Sequence, residues 1–315
     1  MILPRRAFLA SLAASAVIPR LAQAQELTPL RATSAIDDAA TPFLYAMDTG
    51  LFRKNGFEAS LERATNGAAA ASAVVGGSFE IGKSSVISLL SAHVRGLPLV
   101  IVAPAGDYDS ARPSAALAVR ADSPLRSGAD FNGKTVAVSA LNDSFSLSMR
   151  TWVDAHGGDA STLKLIEIPM SASAAAIANG RIDAAVLIQP FLRPALESGA
   201  IRVLGDPVSA FGNHHTDSAW FTTTAFAQRN PDVVNRFMRT IRDAAAYVNG
   251  HPAETAYLLA KFAMVQPSDV MKMRVLQGTR LDTANFQVLI DAAARYKIIP
   301  ERFDARDLIY QGALK

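Results

Sequence analysis

Val74-Val75-Gly76-Gly77-Ser78-Phe79-Glu80-Ile81-Gly82 and, about a hundred residues later, Ala178-Asn179-Gly180-Arg181-Ile182-Asp183-Ala184-Ala185 share one plan. In each, a helical stretch ends in glycine, an acid follows three residues on, and an apolar strand begins. Glycine suits the left-handed turn that stops a helix, so one copy alone marks an ordinary helix-to-strand connection. Two copies in separate halves of the chain predict two lobes of similar build.

The surrounding pattern is α/β. Phe57, Ala59 and Leu61 alternate with Glu58, Ser60 and Glu62, the period of a half-buried strand. Continuous apolar runs at 99–103, 135–138, 163–168, 184–188 and 201–204 read as buried sheet strands. Thr41-Pro42 and Asn230-Pro231 each put a capping side chain before a proline at the first helical position. Val233, Val234, Phe237, Met238, Ile241, Ala245 and Val248 form one helical face ending at Gly250, and from Pro231 onward the chain reads as almost wholly helical.

Two β-prone segments, Ser114 to Ala121 and Asp217 to Phe226, bracket the middle third and are expected to be crossovers between the lobes. The expected division is therefore 26–113 plus 218–315 for one lobe and 114–217 for the other, with two parallel connections forming a hinge.

The amino terminus has the form of an export signal: Pro4-Arg5-Arg6-Ala7-Phe8-Leu9, an apolar run from Ala7 to Ile18, and Ala22-Gln23-Ala24 at the expected cut. The paired arginines followed by Phe8 and Leu9 match the twin-arginine type, with residues 1–24 removed. The apolar run is well short of the roughly 20 residues that span a bilayer. The chain has 31 basic and 28 acidic residues, and losing Arg5, Arg6 and Arg20 brings the two to equality. A neutral mature chain gives no electrostatic reason to expect nucleic acid or an anionic membrane as partner. The absence of cysteine excludes disulfides, thiolate metal sites, cysteine nucleophiles and lipidation at a cysteine beside the signal. An exported, unanchored chain of this kind fits a Gram-negative periplasm.

Pro42-Phe43-Leu44-Tyr45-Ala46 leading to Gly50-Leu51-Phe52-Arg53-Lys54-Asn55-Gly56-Phe57, then Gly77-Ser78-Phe79-Glu80-Ile81-Gly82, Asp130-Phe131-Asn132-Gly133-Lys134-Thr135-Val136-Ala137-Val138 and Gly180-Arg181-Ile182-Asp183-Ala184-Ala185 occur in this order. As a set they resemble the substrate-binding proteins of ABC importers, in the branch for nitrate, taurine and aliphatic sulfonates that also holds binders of thiamine-pyrimidine precursors. The resemblance implies a two-lobed periplasmic binding protein fold, type II-like, working as a monomer. Such a protein closes on a small-molecule ligand and hands it to an inner-membrane ABC permease, with no cofactor. A periplasmic receptor for a sensor protein is the alternative. The same broad family includes enzymes that make a thiamine pyrimidine, but they carry a cysteine-rich signature that this chain lacks.

No catalytic or metal constellation stands out. Serines near His93, His156 or His251 form no nucleophile motif, and Gly82-Lys83-Ser84 lacks the upstream glycine of a phosphate loop. His214 and His215 are adjacent, so their side chains diverge in extended chain.

Ligands of open α/β sheets sit beyond the carboxyl ends of the strands. That rule selects Ser34, Asp38, Thr41, Asn66, Gly67, Lys83, Ser84 and Ser85 in the first lobe, and Asn142, Asp143, Ser144 and Gln189 in the second, with His215 near the crossover. Hydroxyls, amides and helix N-termini there can hold a polar ligand group, and the same residues also serve simply as caps. Lys83 and the helix termini favour an anion, whereas Asp37, Asp38 and Asp143 favour an amine or protonated heterocycle. Phe43, Tyr45, Phe145 and Trp220 are candidates for an apolar wall, though three of the four suit the core as well.

Overall fold

The computed structural model describes residues 26–113, 115–188, 191–271 and 274–314. The expected signal segment, together with Ser114 and Gln189, lies outside the described residues. The first part of the chain runs β1 (Thr28–Ser34), α1 (Thr41–Asp48), α2 (Leu51–Lys54), β2 (Phe57–Arg63), α3 (Gly67–Val75), β3 (Ile81–Ser85), α4 (Val86–Val94) and β4 (Leu99–Asp109). The middle is β5 (Ala115–Arg120), β6 (Thr135–Val138), α5 (Ser144–Ala155), β7 (Lys164–Glu167), α6 (Met170–Ala178), β8 (Ala184–Ile188), α7 (Leu192–Glu197) and β9 (Ile201–Gly205). The last part is β10 (His214–Thr223), α8 (Thr224–Arg229), α9 (Pro231–Gly250), α10 (Pro252–Ala263), α11 (Pro267–Val270), β11 (Leu276–Gln277) and α12 (Thr283–Arg295).

The strands form two sheets with matching order. One is β11-β4-β10-β3-β1-β2 and the other β9-β5-β8-β6-β7. In the first, β1 is parallel to β2 and β3, and β10 lies antiparallel between β3 and β4. In the second, β6 is parallel to β7 and β8, and β5 lies antiparallel between β8 and β9. Each sheet thus receives its one antiparallel inner strand from chain that has just left the other. This exchange defines the two-lobed α/β architecture of periplasmic binding proteins.

The repeated sequence plan corresponds to repeated geometry. Gly77 (φ 79°) and Gly180 (φ 67°) close α3 and α6 in the left-handed conformation. In both, the next N–H reaches back to the helix, Ser78 to Ala73 at 3.0 Å and Arg181 to Ala176 at 2.9 Å. The acid three residues after the glycine then clamps the neighbouring parallel strand. Glu80 accepts the Arg31 N–H at 2.6 Å and donates its own N–H to the Arg31 carbonyl. Asp183 accepts the Thr135 N–H at 2.8 Å and likewise donates to Thr135. The acid sets the register at the start of the strand pair.

Several expected elements take a different form. The segments 114–121 and 217–226 contain β5 and most of β10, inner strands of the two sheets rather than free connections. Among the described residues the chain passes between sheets at 110–113 and 206–213, where the Ser110 N–H donates to the Asn213 carbonyl at 2.9 Å. His214 to Asp217 therefore belong to the first sheet. The run at 163–168 is an edge strand, largely exposed, because only β6 covers one side of it. Neither expected proline-preceding cap is used. Thr41 lies inside α1 with its hydroxyl on Asp38, and the Asn230 amide turns back to the Phe226 carbonyl. Beyond Arg295 the chain is mostly irregular, with two short 3-10 turns.

The first sheet is buried on both faces. Phe43, Phe52, Phe57, Trp220 and Phe237 pack between it and the α1, α2 and α9 helices, with Phe43 4.6 Å from Phe52 and 5.1 Å from Trp220, centroid to centroid. On the opposite face α3, α4 and α12 join a core that continues into α5 and β5 of the second lobe. Phe43 and Trp220 are thus core, and Tyr45 stacks on Tyr247 at 4.5 Å.

Candidate functional site

Between the carboxyl ends of the two sets of parallel strands lies a cavity of about 360 Å³. β2, β6 and β7 each lead through a short turn into a helix, β3 leads into one directly, and the starts of α3, α4, α5 and α6 all contribute to the wall. Three of these starts are side-chain capped. Asn66 accepts the Ala69 N–H at 2.9 Å, Ser85 the Ser88 N–H at 3.2 Å and Asp143 the Ser146 N–H at 2.8 Å. A cap takes up one first-turn N–H, and the others, with the positive ends of the helix dipoles, remain available to a polar ligand group.

Six of the residues selected from sequence line this cavity: Asn66, Gly67, Lys83, Ser84, Ser85 and Asp143. Gly67 is where α3 meets β3, since a Cβ there would lie 2.1 Å from Ser84 Oγ. Lys83 is buried and held by both oxygens of Asp37, at 2.8 and 2.6 Å. Of the four candidate aromatics, Phe145 is the one on the wall.

The other described residues selected from sequence stand behind the wall. The Ser34 hydroxyl donates to the Ala35 carbonyl at 2.7 Å. Asp38 is buried and accepts from Thr41 Oγ1 (2.9 Å), the Val275 N–H (3.0 Å) and Gln277 Nε2 (3.2 Å), with Arg274 Nε 2.8 Å away. Burial pushes its carboxyl up, and Arg274 opposes that shift. Asn142 presents its carbonyl to the Ser88 hydroxyl at 3.1 Å, and the Ser144 hydroxyl reaches the Asp217 carbonyl at 3.5 Å, so both tie the lobes together. His215 is sandwiched between Tyr108 and Phe211, 4.9 and 5.4 Å from their ring centroids, with both ring nitrogens buried and unpartnered. Burial, then the neighbouring His214, pushes its pKa down to about 3, so it is neutral.

Sequence reasoning missed Arg63, Asp107, Tyr108, Phe191 and Asp217, all on the wall. The run at 99–103 reads as ending at Pro104, yet β4 continues to Asp109 because the proline falls where the β4–β10 register shifts, sparing the ladder. The signal for Asp217 was its place at the head of a β-prone stretch. Burial pushes Asp107, Asp143 and Asp217 each up to about 6, against the hydrogen bonds that Thr216, Ser139 and Ser144 respectively supply. Among the described residues no cluster of His, Asp and Glu is arranged to hold a metal ion, and no histidine lines the cavity.

The fold and cleft define a solute-binding protein architecture, and comparison with known proteins places the chain within it. Residues 38–255 match the model of the NMT1/THI5 like family, so the chain belongs to that family. A protein of Escherichia coli (strain K12), provisionally named an aliphatic sulfonates-binding protein, is 25% identical over 244 residues, covering 75% of this chain and 74% of its own. A provisionally named binding protein of Brucella abortus (strain 2308) is 24% identical over 269 residues, covering 84% of this chain and 81% of its own. Among solved structures, the alkanesulfonate-binding protein of Xanthomonas axonopodis pv. citri superposes with a TM-score of 0.75 at 20% identity, covering 90% of this chain and 99% of that one. The periplasmic nitrate-binding protein of Synechocystis PCC 6803 gives 0.78 at 14% identity, covering 93% and 88%. These likenesses carry the two-lobed fold.

Proposed function

We propose that this chain is the solute-binding component of an ABC importer, exported by the twin-arginine route, freed of residues 1–24 and working as a monomer in the periplasm. It closes its lobes on a small organic molecule, a sulfonate, a carboxylate or a pyrimidine-like compound, and delivers it to the permease. The observation that carries this reading is the cavity between two sheets that exchange strands, walled by the starts of four helices. The names of the E. coli and Xanthomonas proteins support it, since each names a binding protein.

The site suits reversible binding. The ligand would be held by first-turn N–H groups and hydroxyls from both lobes, so binding favours the arrangement in which the lobes meet. The paired crossings at 110–113 and 206–213 are the segments about which the lobes would turn.

Native mass spectrometry of the freshly purified mature protein would look for a carried-over small molecule. The melting temperature of the stripped protein would then be recorded against sulfonates, nitrate, pyrimidines, amino acids and aromatic carboxylates. A ligand at 100 times its dissociation constant adds roughly 2.7 kcal/mol, a shift of several degrees. Small-angle scattering showing no compaction with a ligand proven to bind would sink the closure mechanism.

A further inference from the structure

The charges around the cavity do not balance. Among the described residues that line it, the cations are Arg63 and Lys83, and the anions are Asp37, Asp107, Asp143 and Asp217. Arg63 is exposed at the end of β2, with its guanidinium 5.2 Å from the centre of the Phe262 ring. Lys83 is taken up by Asp37. Asp143 is satisfied locally by the N–H groups of Ser146 and Ala140 and the hydroxyl of Ser139. Asp107 has the Thr216 hydroxyl at 2.8 Å. Asp217 has the Ser144 hydroxyl near its carboxyl, but its Oδ1 is buried and has no partner.

The position of Asp217 is built by the backbone. Thr216 pairs with Asp107 and Ser218 with Gly106, so Asp217 is the extra residue of a bulge in β10. A bulge re-aims a side chain that regular pleating would send elsewhere, and this one joins the cavity wall. The Gly106 N–H, freed by the irregularity, is taken by Ser218 Oγ at 3.0 Å, which holds the bulge in place. Two residues beyond Asp217 along β10, Ala219 pairs with Ser84 of β3, which is 2% exposed and lines the same cavity with an Oγ that meets no partner. A buried carboxylate oxygen and a buried hydroxyl on one cavity wall, both unpartnered, leave hydrogen-bonding capacity that something must fill.

We propose that the ligand brings the missing cation: it carries a protonated amine, amidine or nitrogen heterocycle whose N–H groups are received by Asp217, with Asp107 and the Ser84 hydroxyl beside it. The inference deepens the solute-binding reading and rests on it. An anionic group on the same molecule is compatible, because the helix starts that line the cavity can accept it. A ligand that is anionic throughout meets Asp217 and Asp107 as repulsive neighbours, so these two residues act as the selectivity filter of the site. Without ligand, burial and the nearby charges of Asp37 and Asp107 oppose ionisation of Asp217, while the Ser144 hydroxyl and Lys83 favour it. An arriving cation draws the proton off, so binding near pH 6 releases protons, and acidification below that weakens it.

The test is isothermal titration of stripped mature protein at about pH 7.5 with propane-1-sulfonate, 3-aminopropane-1-sulfonate and n-propylamine. The expected result is that the better aminated probe binds at least about tenfold tighter than propane-1-sulfonate, and that the preference collapses to within about threefold in Asp217→Asn. If Asp217→Asn does not fold, as judged by circular dichroism, Asp107→Asn and Ser84→Ala serve in its place, each reducing the preference. Equal affinities, a preference for the bare sulfonate, no binding by any probe, or a preference that survives every variant overturns the proposal. The solute-binding reading is judged separately: a nitrogen-free anion recovered by native mass spectrometry sustains that reading while ending this one.

Discussion

Asp38 shows why a polar residue in the right loop need not face the ligand. It was selected because it follows β1, yet it is buried behind the wall, where Arg274, Thr41, Val275 and Gln277 converge on its two oxygens. Its work is to fasten the segment 274–277, including β11, to the first sheet. Removing one partner of a buried ion pair leaves the other charge uncompensated, which typically costs about 3–5 kcal/mol. Asp38→Ala should therefore lower the unfolding free energy by about that amount, measured by urea denaturation, and should do so without ligand. A loss under about 1 kcal/mol would mean that Arg274 finds water instead, and that the segment does not depend on this staple.

At the scale of elements, what could be read in the chain was what local chemistry fixes. The strand at 184–188, the long amphipathic helix from Pro231 and the two glycine-acid connections were legible because apolar period and left-handed glycine leave few alternatives. β7 looks like a core strand by composition, and only its place at the sheet edge exposes it, a fact of topology that composition does not carry. The site divides the same way. Asn66, Ser85 and Asp143 were visible as capping chemistry after strands, whereas Asp217 reaches the cavity through a bulge whose existence depends on pairing with β4, more than a hundred residues away in sequence. Asp143 is the cap that most directly joins helix and site, since its carboxylate holds the start of α5 and the loop at Ala140 together. Asp143→Ala should cost about 1–2 kcal/mol through the lost cap and weaken ligand binding as the start of α5 loosens. Urea denaturation and titration of one sample would check both, and a variant as stable as the parent would show that Ser146 and Ser139 hold the turn unaided.

For the whole molecule, the groups that respond to pH lie on the cleft floor and beside the crossings, and they pull in opposite directions. Asp107, Asp143 and Asp217 have their pKa values raised to about 6 by burial, so in the ligand-free protein the native state holds their protons more tightly than the unfolded chain does. Their contribution favours folding at low pH and is lost as pH rises from about 4 to about 6. His215 does the reverse. Its pKa, pushed down to about 3, lies below the ordinary histidine value, so the unfolded chain binds the proton first and stability is lost as pH falls from about 6.5 towards 3. His215 sits on β10 directly after the second crossing, between Tyr108 and Phe211, and the Tyr108 hydroxyl bonds Asp206 in that crossing at 2.7 Å. Protonating it would place a charge where the lobes join, with neither ring nitrogen able to find a partner. In His215→Phe this penalty disappears while the three acids remain. The stability difference between variant and parent should therefore move in the variant's favour by up to about 3 kcal/mol between pH 6.5 and pH 4. Urea denaturation of both proteins at about pH 4, 5, 6 and 7 reads that difference directly. A difference independent of pH would show that the imidazole gains water or a partner on protonation, so that the crossing opens locally under acid instead of resisting it.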